Sequence, residues 1–262
     1  MVSGLLYVFV TALVAQNPAG QNPPAQTENG FRAASPTKTA PPDPSKALTP
    51  EMRGDIYMAR KMYREAAETY LTGPQDSAVL ANKTGIAYHQ MLELDTARKY
   101  YQRAMKLDPH YAEAVNNLGT VYYARKSYRR AILEYKRALR IQPQSASILS
   151  NLGTAYFARR NYKEASAIYQ QALALDPEVF ERRSSQGVLL QDRSVEERAK
   201  YHFYMAKTYA KAGQTERALL YIRKSLEEGF KDREKYQKDP DFAGLQNNPE
   251  FKLLMAMEQK VL

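Results

Sequence analysis

Residues 112–145 read AEAVNNLGTVYYARKSYRRAILEYKRALRIQPQS, and the chain repeats this pattern. Residues 115–125 and residues 128–141 each carry apolar side chains at helical spacing, and a short polar break separates them. Pro143 ends the second segment, because proline lacks an N–H group and disfavours helical backbone in the residue before it. The stretch therefore predicts a pair of helices joined by a tight turn.

The pattern recurs on both sides of this stretch without a gap, which is the strongest signal in the chain. Gly85, Gly119 and Gly153 follow one another at intervals of 34 residues. Five further columns keep the same interval: Tyr88, Tyr122 and Tyr156; Ala97, Ala131 and Ala165; Tyr101, Tyr135 and Tyr169; Ala104, Ala138 and Ala172; Pro109, Pro143 and Pro177. Chance does not produce such agreement, so three consecutive structural repeats are predicted.

Each column has a physical reason. We expect Gly119 and Ala131 to face each other across the helix pair, where only small side chains permit close approach. Tyr122 and Tyr135 should fill the space around that contact, and Ala138 should leave room for the first helix of the next unit. A single hairpin of this kind cannot bury its apolar face alone, so the units are expected to stack.

The repeated pattern resembles the tetratricopeptide repeat (TPR), as found in exported bacterial proteins. The resemblance is specific in the units 78–111, 112–145 and 146–179. It implies an all-α solenoid, a right-handed superhelix of antiparallel helix pairs, preceded by a disordered N-terminal region. It also implies a scaffold that binds other proteins.

Two weaker units extend the resemblance. A degenerate unit spans residues 47–77, and a TPR-like unit spans residues 199–232. The matching columns hold Gly54, Tyr57, Ala66 and Tyr70 in the first of these, and Ala206, Tyr209 and Ala218 in the second. In the second unit Ile222 replaces the expected aromatic residue, and Phe230 replaces the expected proline.

Residues 180–198 form an irregular insertion between repeats. The insertion begins like a new unit, with Gly187 in the small-residue column, and breaks at residues 191–193. Ser194 and Glu197 have the spacing of a capping box, so a long helix should start near Val195. The insertion is either a functional loop or an inserted surface turn.

The C-terminal residues 229–262 resemble a tail that often closes bacterial repeat arrays, and residues 233–262 are interpreted as its helical cap. Short helices in this segment are expected to cover the last exposed apolar face, because a terminal repeat needs a cap for solubility. The apolar residues expected to pack in this way are Phe230, Tyr236, Phe242, Leu245, Phe251, Leu253 and Leu254.

The N-terminal residues 1–15 are interpreted as a signal peptide or an apolar anchor. Residues 2–15 read VSGLLYVFVTALVA and carry no charge, and they are shorter than the roughly 20 residues that a membrane span needs. Export to the periplasm, the envelope or the medium is therefore expected, with a membrane anchor at residues 2–15 or a wrongly assigned start as alternatives. Residues 16–46 are rich in Pro, Gln and Asn and are interpreted as a disordered linker.

The resemblance implies that the first helices line a concave groove for an extended peptide or a partner helix. Carboxamides suit this task, because each offers two donors and one acceptor to a peptide backbone. Asn117 and Asn151 share a column, and His89, Tyr123 and Phe157 share another that could form an aromatic wall. The candidate groove residues are Asn82, Lys83, Ile86, His89, Asn116, Asn117, Thr120, Tyr123, Ser150, Asn151, Thr154 and Phe157. Alternatively, the asparagines only orient neighbouring backbone.

One branch of the family captures the C-terminal carboxylates of a partner through a Lys/Asn/Arg clamp. Asn117 matches one position of that clamp. The flanking cationic positions hold Asn82 and Ser147 or Asn151 instead. The clamp is incomplete, so a C-terminal carboxylate ligand is not predicted.

Positive charge is concentrated in one unit. The chain carries a net charge of +10, and the unit 112–145 contributes seven cations against Glu113 and Glu134. This basic patch consists of Arg125, Lys126, Arg129, Arg130, Lys136, Arg137 and Arg140, and we expect it on the convex side. It is either a docking surface for an acidic protein, an anionic lipid or a polymer, or an ordinary solvated face. Nucleic acid is not expected as a partner, because export would separate the two.

The sequence offers no chemistry for catalysis. It contains no Cys, and His89, His110 and His202 are far apart. No HExxH, GxSxG, GxGxxG or P-loop pattern occurs. We therefore expect neither an enzyme nor a cofactor or metal site. A protein partner is expected, a self-assembling structural protein is the remaining alternative, and the oligomeric state is left open.

Overall fold

A computed structural model describes residues 48–181 and 194–257 of the chain. The expectations for residues 1–47, including the signal peptide and the whole linker, lie outside this part of the chain. The same holds for residues 182–193 of the insertion. The first eight helices are α1 Pro50–Ala59, α2 Tyr63–Leu71, α3 Ala78–Gln90, α4 Leu94–Leu107, α5 Ala112–Ala124, α6 Tyr128–Ile141, α7 Ala146–Ala158 and α8 Tyr162–Leu175. The later elements are α9 Val195–Lys211, α10 Thr215–Glu227, α11 Glu234–Lys238, a 3-10 helix Pro240–Leu245 and α12 Pro249–Ala256.

Consecutive helices pack as pairs, and the pairs stack in chain order. Within the described residues the pairs are α1/α2, α3/α4, α5/α6, α7/α8 and α9/α10, and each second helix also packs on the first helix of the next pair. The first helices α3, α5 and α7 additionally touch one another, which makes them the inner layer. The all-α solenoid of antiparallel helix pairs that the sequence predicts is therefore confirmed.

The turn inside every described pair closes in the same way. The N–H group of the residue that precedes the second helix donates to a tyrosine carbonyl five residues earlier, at 2.8–3.0 Å. The five donor–acceptor pairs are Met62–Tyr57, Glu93–Tyr88, Ser127–Tyr122, Asn161–Tyr156 and Gln214–Tyr209. The residue before each donor adopts a positive φ, namely Lys61, Leu92, Lys126, Arg160 and Gly213. This is the Schellman motif, and its repetition gives the pairs one common geometry.

A helical glycine receives a tyrosine ring in four of the pairs. A Cβ atom on Gly119 would lie 2.7 Å from a ring carbon of Tyr135, and one on Gly153 would lie 2.6 Å from Tyr169. Gly54 and Gly85 stand in the same relation to the rings of Tyr70 and Tyr101. The expected partner of Gly119 was Ala131, but the atoms nearest to it belong to Tyr135. Tyr135 follows Ala131 by one helical turn on the same face, and its larger ring fills the space in front of the glycine.

The pair α9/α10 replaces both members of this contact. Its columns hold Ala206 in place of glycine and Ile222 in place of tyrosine, and both side chains are fully buried. A branched aliphatic side chain is shorter than a tyrosine ring, so the first helix tolerates a methyl group at this position. The departure noted in the sequence is therefore a paired change of two side chains.

The C-terminal segment covers the end of the array with aromatic side chains. Six of the seven residues expected to pack here are buried in one core with α9 and α10: Phe230, Tyr236, Phe242, Leu245, Phe251 and Leu254. The Phe203 ring of α9 stacks on Phe230 with ring centroids 4.6 Å apart. The expectation for Leu253 is wrong, because its side chain is 64% exposed. On α12 the residues Phe251 and Leu254, three positions apart, share the buried face, and Leu253 lies off that face.

The helix after the insertion starts where the sequence predicts. The hydroxyl of Ser194 accepts a hydrogen bond from the backbone N–H of Glu197 at 3.2 Å, and α9 begins at Val195. Farther along α9, Lys207 contacts the carboxylates of Asp239 and Asp241 at 2.5 and 3.4 Å. These contacts connect α9 to the C-terminal segment.

We predict that Gly119→Ala decreases the free energy of unfolding by about 1–3 kcal/mol, because the new methyl group overlaps the buried Tyr135 ring. Gly244→Ala is the matched control, since a Cβ atom there has no neighbour within 4 Å. Thermal and urea unfolding followed by far-UV circular dichroism measure both changes. Equal stability of the two variants would contradict the glycine–tyrosine contact.

We predict that Leu92→Gly increases the free energy of unfolding by about 1 kcal/mol. Leu92 has a φ of 62° and is 79% exposed, so glycine removes backbone strain and little packing. Leu133→Gly, at an exposed position inside α6, should instead cost about 1 kcal/mol of helix propensity. Changes of the same sign in the two variants would refute this account of the turn.

Candidate functional site

A ladder of asparagine side chains crosses the inner layer of helices. The amide nitrogen of Asn117 on α5 donates to the Asn82 oxygen on α3 at 3.0 Å. The amide nitrogen of Asn151 on α7 donates to the Asn116 oxygen on α5, also at 3.0 Å. Asn116 in turn donates to Asn117 at 3.4 Å, which joins the two rungs. The hydroxyl of Tyr111 accepts from Asn82 at 3.4 Å and ends the ladder.

The ladder leaves hydrogen-bonding capacity unused. A carboxamide carries two N–H donors and two acceptor lone pairs, and the contacts above use at most half of these on each asparagine. Asn116, Asn117 and Asn151 are half-buried, so part of each side chain reaches the surface. Asn82 is only 4% exposed, so it is the buried member of the ladder. The structure thus brings four of the predicted site residues together and leaves three of them accessible.

Two further predicted residues hold buried tyrosines. Thr120 accepts a hydrogen bond from the Tyr135 hydroxyl at 3.3 Å, and Thr154 accepts one from the Tyr169 hydroxyl at 3.2 Å. These are the tyrosines whose rings pack on the glycine that precedes each threonine. Thr154 is buried, as is Ser150, whereas Thr120 is half-buried. Thr120 therefore extends the accessible surface of the ladder, and Thr154 and Ser150 lie beneath it.

The predicted aromatic wall is largely covered. Tyr123 is 8% and Phe157 is 3% exposed, and His89 is half-buried. The Phe157 ring packs against Tyr162 and Tyr204, with ring centroids 5.1 and 6.0 Å away. The expectation that this column presents an aromatic surface to a ligand is therefore wrong for Tyr123 and Phe157. Both rings fill the space between neighbouring helices instead.

One lysine at the N-terminal end of the inner layer is held by two carboxylates, which the sequence pattern did not reveal. The Lys83 ammonium group lies 2.8 Å from Glu51 and 2.7 Å from Asp55. Burial opposes the charge, but the hydrogen bonds to Asp55 and Glu51 outweigh it and raise the pKa of Lys83. A comparison of equivalent positions in neighbouring repeats could have predicted this contact. Glu51 and Asp55 occupy the same positions around Gly54 as Asn82 and Ile86 occupy around Gly85, one repeat later. Ile86 is half-buried beside this cluster on α3.

The basic patch occupies the turn between α5 and α6 and the outer face of α6. All seven of its residues are exposed. Arg125 forms an ion pair with Asp95 at 2.6 Å, and Arg137 lies 3.8 Å from Glu134. Burial raises the pKa of Glu134, while Arg137 and Arg140 oppose that shift. Arg129, Arg130, Lys136, Arg137 and Arg140 lie on α6, the second helix of its pair, and Arg125 and Lys126 belong to the turn before it.

In the part of the chain that the structure describes, no group of three or more Asp, Glu or His side chains is placed to hold a metal ion. No helix in residues 48–181 and 194–257 combines the length and the apolar character needed to cross a bilayer.

We predict that the free energy of unfolding decreases as the pH falls below about 6.5, in part because of His89. Burial lowers the pKa of His89, so the unfolded chain binds a proton before the folded chain does. His89→Gln should reduce the pH dependence, and His110→Gln is the matched substitution at an exposed position. Urea unfolding between pH 7 and pH 5 measures both slopes. An unaltered slope in His89→Gln would rule out this role.

Comparisons with known protein families identify the same repeat that the 34-residue interval indicates. The sequence profile described as "TPR repeat" matches residues 85–126 and 119–159, and the profile "Tetratricopeptide repeat" matches residues 146–179. No curated protein matches the chain.

Two solved structures with a similar arrangement of helices are those of MamA and of a TPR domain of RPAP3. The crystal structure of MamA matches with a TM-score of 0.46 and a sequence identity of 20%. The match covers 67% of this chain and 93% of the MamA chain. The second TPR domain of human RPAP3, in complex with an HSP70 peptide, is 22% identical with a TM-score of 0.40, over 42% of this chain and 95% of that domain. The 34-residue columns, the stacked helix pairs and the matching profiles lead to one conclusion: residues 85–179 of the chain consist of tetratricopeptide repeats.

Proposed function

We propose that this protein is an interaction scaffold that binds an extended segment of a partner protein along its inner layer of helices. The observation that carries the proposal is the asparagine ladder across α3, α5 and α7. Scaffolds of stacked helix pairs use their concave surface for binding. Catalysis has no place in the proposal.

The unused capacity of the ladder favours a main chain as the ligand. An extended segment has unpaired N–H and C=O groups, which the free amide groups of Asn116, Asn117 and Asn151 can satisfy. A helical ligand offers few such groups, because its main chain is already paired internally. An extended segment therefore gains more hydrogen bonds from this surface than a helix does.

Two charged clusters near the ends of the array indicate which charge a partner segment should carry. Lys83 is shared by Glu51 and Asp55 at one end, and Lys207 is shared by Asp239 and Asp241 at the other. Each cluster holds two carboxylates against one ammonium group and is therefore net negative. Neutral or basic segments are therefore favoured over acidic ones, in line with the incomplete carboxylate clamp.

The cellular setting is part of the proposal and rests on residues 2–15. Their uncharged apolar run supports export to the periplasm, the envelope or the medium, where the scaffold would assist the assembly of a larger complex.

The experiment compares two pairs of carboxamide substitutions in the full-length chain. Peptides that bind the parent are selected from an array of unstructured sequences, and their affinities are measured by fluorescence anisotropy. Asn117→Ala combined with Asn151→Ala should weaken binding by about tenfold or more, since each lost hydrogen bond contributes about 0.5–1.5 kcal/mol. Gln102→Ala combined with Gln171→Ala, at exposed positions of α4 and α8, is the matched control.

Circular dichroism and thermal unfolding must show that both double variants keep the parent fold. Equal affinity of the two variants would remove the inner layer as the binding surface. Failure of every peptide in the array to bind the parent would also contradict the proposal.

A further inference from the structure

An open depression of about 410 Å³ lies between two neighbouring turns of the array. The turn that joins α5 to α6 and the start of α6 contribute Lys126, Ser127, Tyr128, Arg129 and Arg130, and the turn that joins α7 to α8 contributes Arg159. Four of its six lining residues are therefore cations. The depression is formed by the turns and a second helix, whereas the proposed peptide site lies on first helices.

Among the residues that the structure describes, these four cations have no acidic partner. Within residues 48–181 and 194–257, no carboxylate lies within ion-pair distance of Lys126, Arg129, Arg130 or Arg159, whereas the adjacent Arg125 is paired with Asp95. The guanidinium group of Arg130 stands over the Tyr122 ring, 5.8 Å from its centroid. Like charges gathered in this way repel one another, and an anion bound among them relieves the repulsion.

The outer face of α6 continues this positive surface. Lys136, Arg137 and Arg140 are exposed on it, and Leu133, which is 61% exposed, lies among them. The first turns of the other second helices contain a carboxylate, namely Glu65, Asp95, Glu164 and Glu216, whereas the first turn of α6 contains Arg129 and Arg130. The concentration of charge is thus specific to one helix of the array.

We propose that this surface docks on a membrane that contains anionic lipids, with a phosphate-bearing headgroup held in the depression. Guanidinium groups match the geometry of phosphate oxygens with two parallel hydrogen bonds, and the depression offers three of them and one ammonium group. Clusters of Lys and Arg on a helix bind anionic bilayers through their combined charge. Leu133 adds an apolar contact that a bilayer satisfies and that a free phosphate does not.

The test is co-sedimentation of the full-length chain with vesicles of phosphatidylcholine, with and without a phosphatidylglycerol fraction. Arg129→Glu combined with Arg130→Glu is compared with Lys99→Glu combined with Lys106→Glu, which reverses two exposed cations on α4. Both variants change the net charge equally, so they separate the site from charge alone. We expect the parent to bind only the vesicles that contain phosphatidylglycerol, with binding that weakens as salt is added.

The Arg129/Arg130 variant should lose about tenfold or more in partitioning, and the Lys99/Lys106 variant should bind nearly as well as the parent. Equal losses in both variants would overturn the assignment of the site. Binding to pure phosphatidylcholine, or no vesicle binding at all, would overturn the proposal. Capture of soluble polyglutamate without any affinity for the vesicles would also overturn it and indicate an acidic protein as the partner.

Discussion

The contact between a helical glycine and a buried tyrosine ring governs the geometry of the array. At Gly119 and Tyr135, and at three equivalent pairs, the absence of a side chain lets the ring lie against the first helix, which sets the distance between the two helices of a pair. The same ring sends its hydroxyl group toward the inner layer, where Thr120 accepts it. Packing inside a pair and the chemistry of the inner layer are therefore consequences of one contact. In the α9/α10 pair both positions hold different residues, Ala206 and Ile222, and both side chains are fully buried.

The stacking of pairs separates the protein into two chemically different surfaces. First helices touch one another and present a neutral row of carboxamides, in which Asn117 and Asn151 bond to asparagines of the preceding first helix. Second helices face outward, and α6 carries five exposed cations, Arg129, Arg130, Lys136, Arg137 and Arg140. A partner segment on the inner layer and an anionic surface on the outer face would not compete for the same side chains. Under the two proposals made above, one scaffold would hold a partner beside a membrane.

Comparing equivalent positions of the repeats predicted the structure correctly where the local geometry repeats. Helix pairs, turns and the cap at Ser194 follow from patterns of 3 to 5 residues and from one 34-residue interval. It failed for Leu253, Tyr123 and Phe157, whose aromatic or apolar character did not indicate which way they face. Their exposure is set by neighbours that are distant in the sequence, such as Tyr204 beside Phe157. The asparagines illustrate an intermediate case, because their column was visible but their mutual hydrogen bonds were not.

The amino-acid sequence is sufficient to establish the repeat, the all-α class, the pairing of helices and the position of the positive charge, because each is a local or periodic property of the chain. The ladder of asparagines, the lysines shared by two carboxylates and the depression lined by Lys126 and Arg159 exist only after the pairs have stacked. Stacking places residues that are about one repeat apart within hydrogen-bonding distance, and the sequence does not state which atoms meet. Asn116 with Asn151 and Lys83 with Asp55 are therefore products of the folded array.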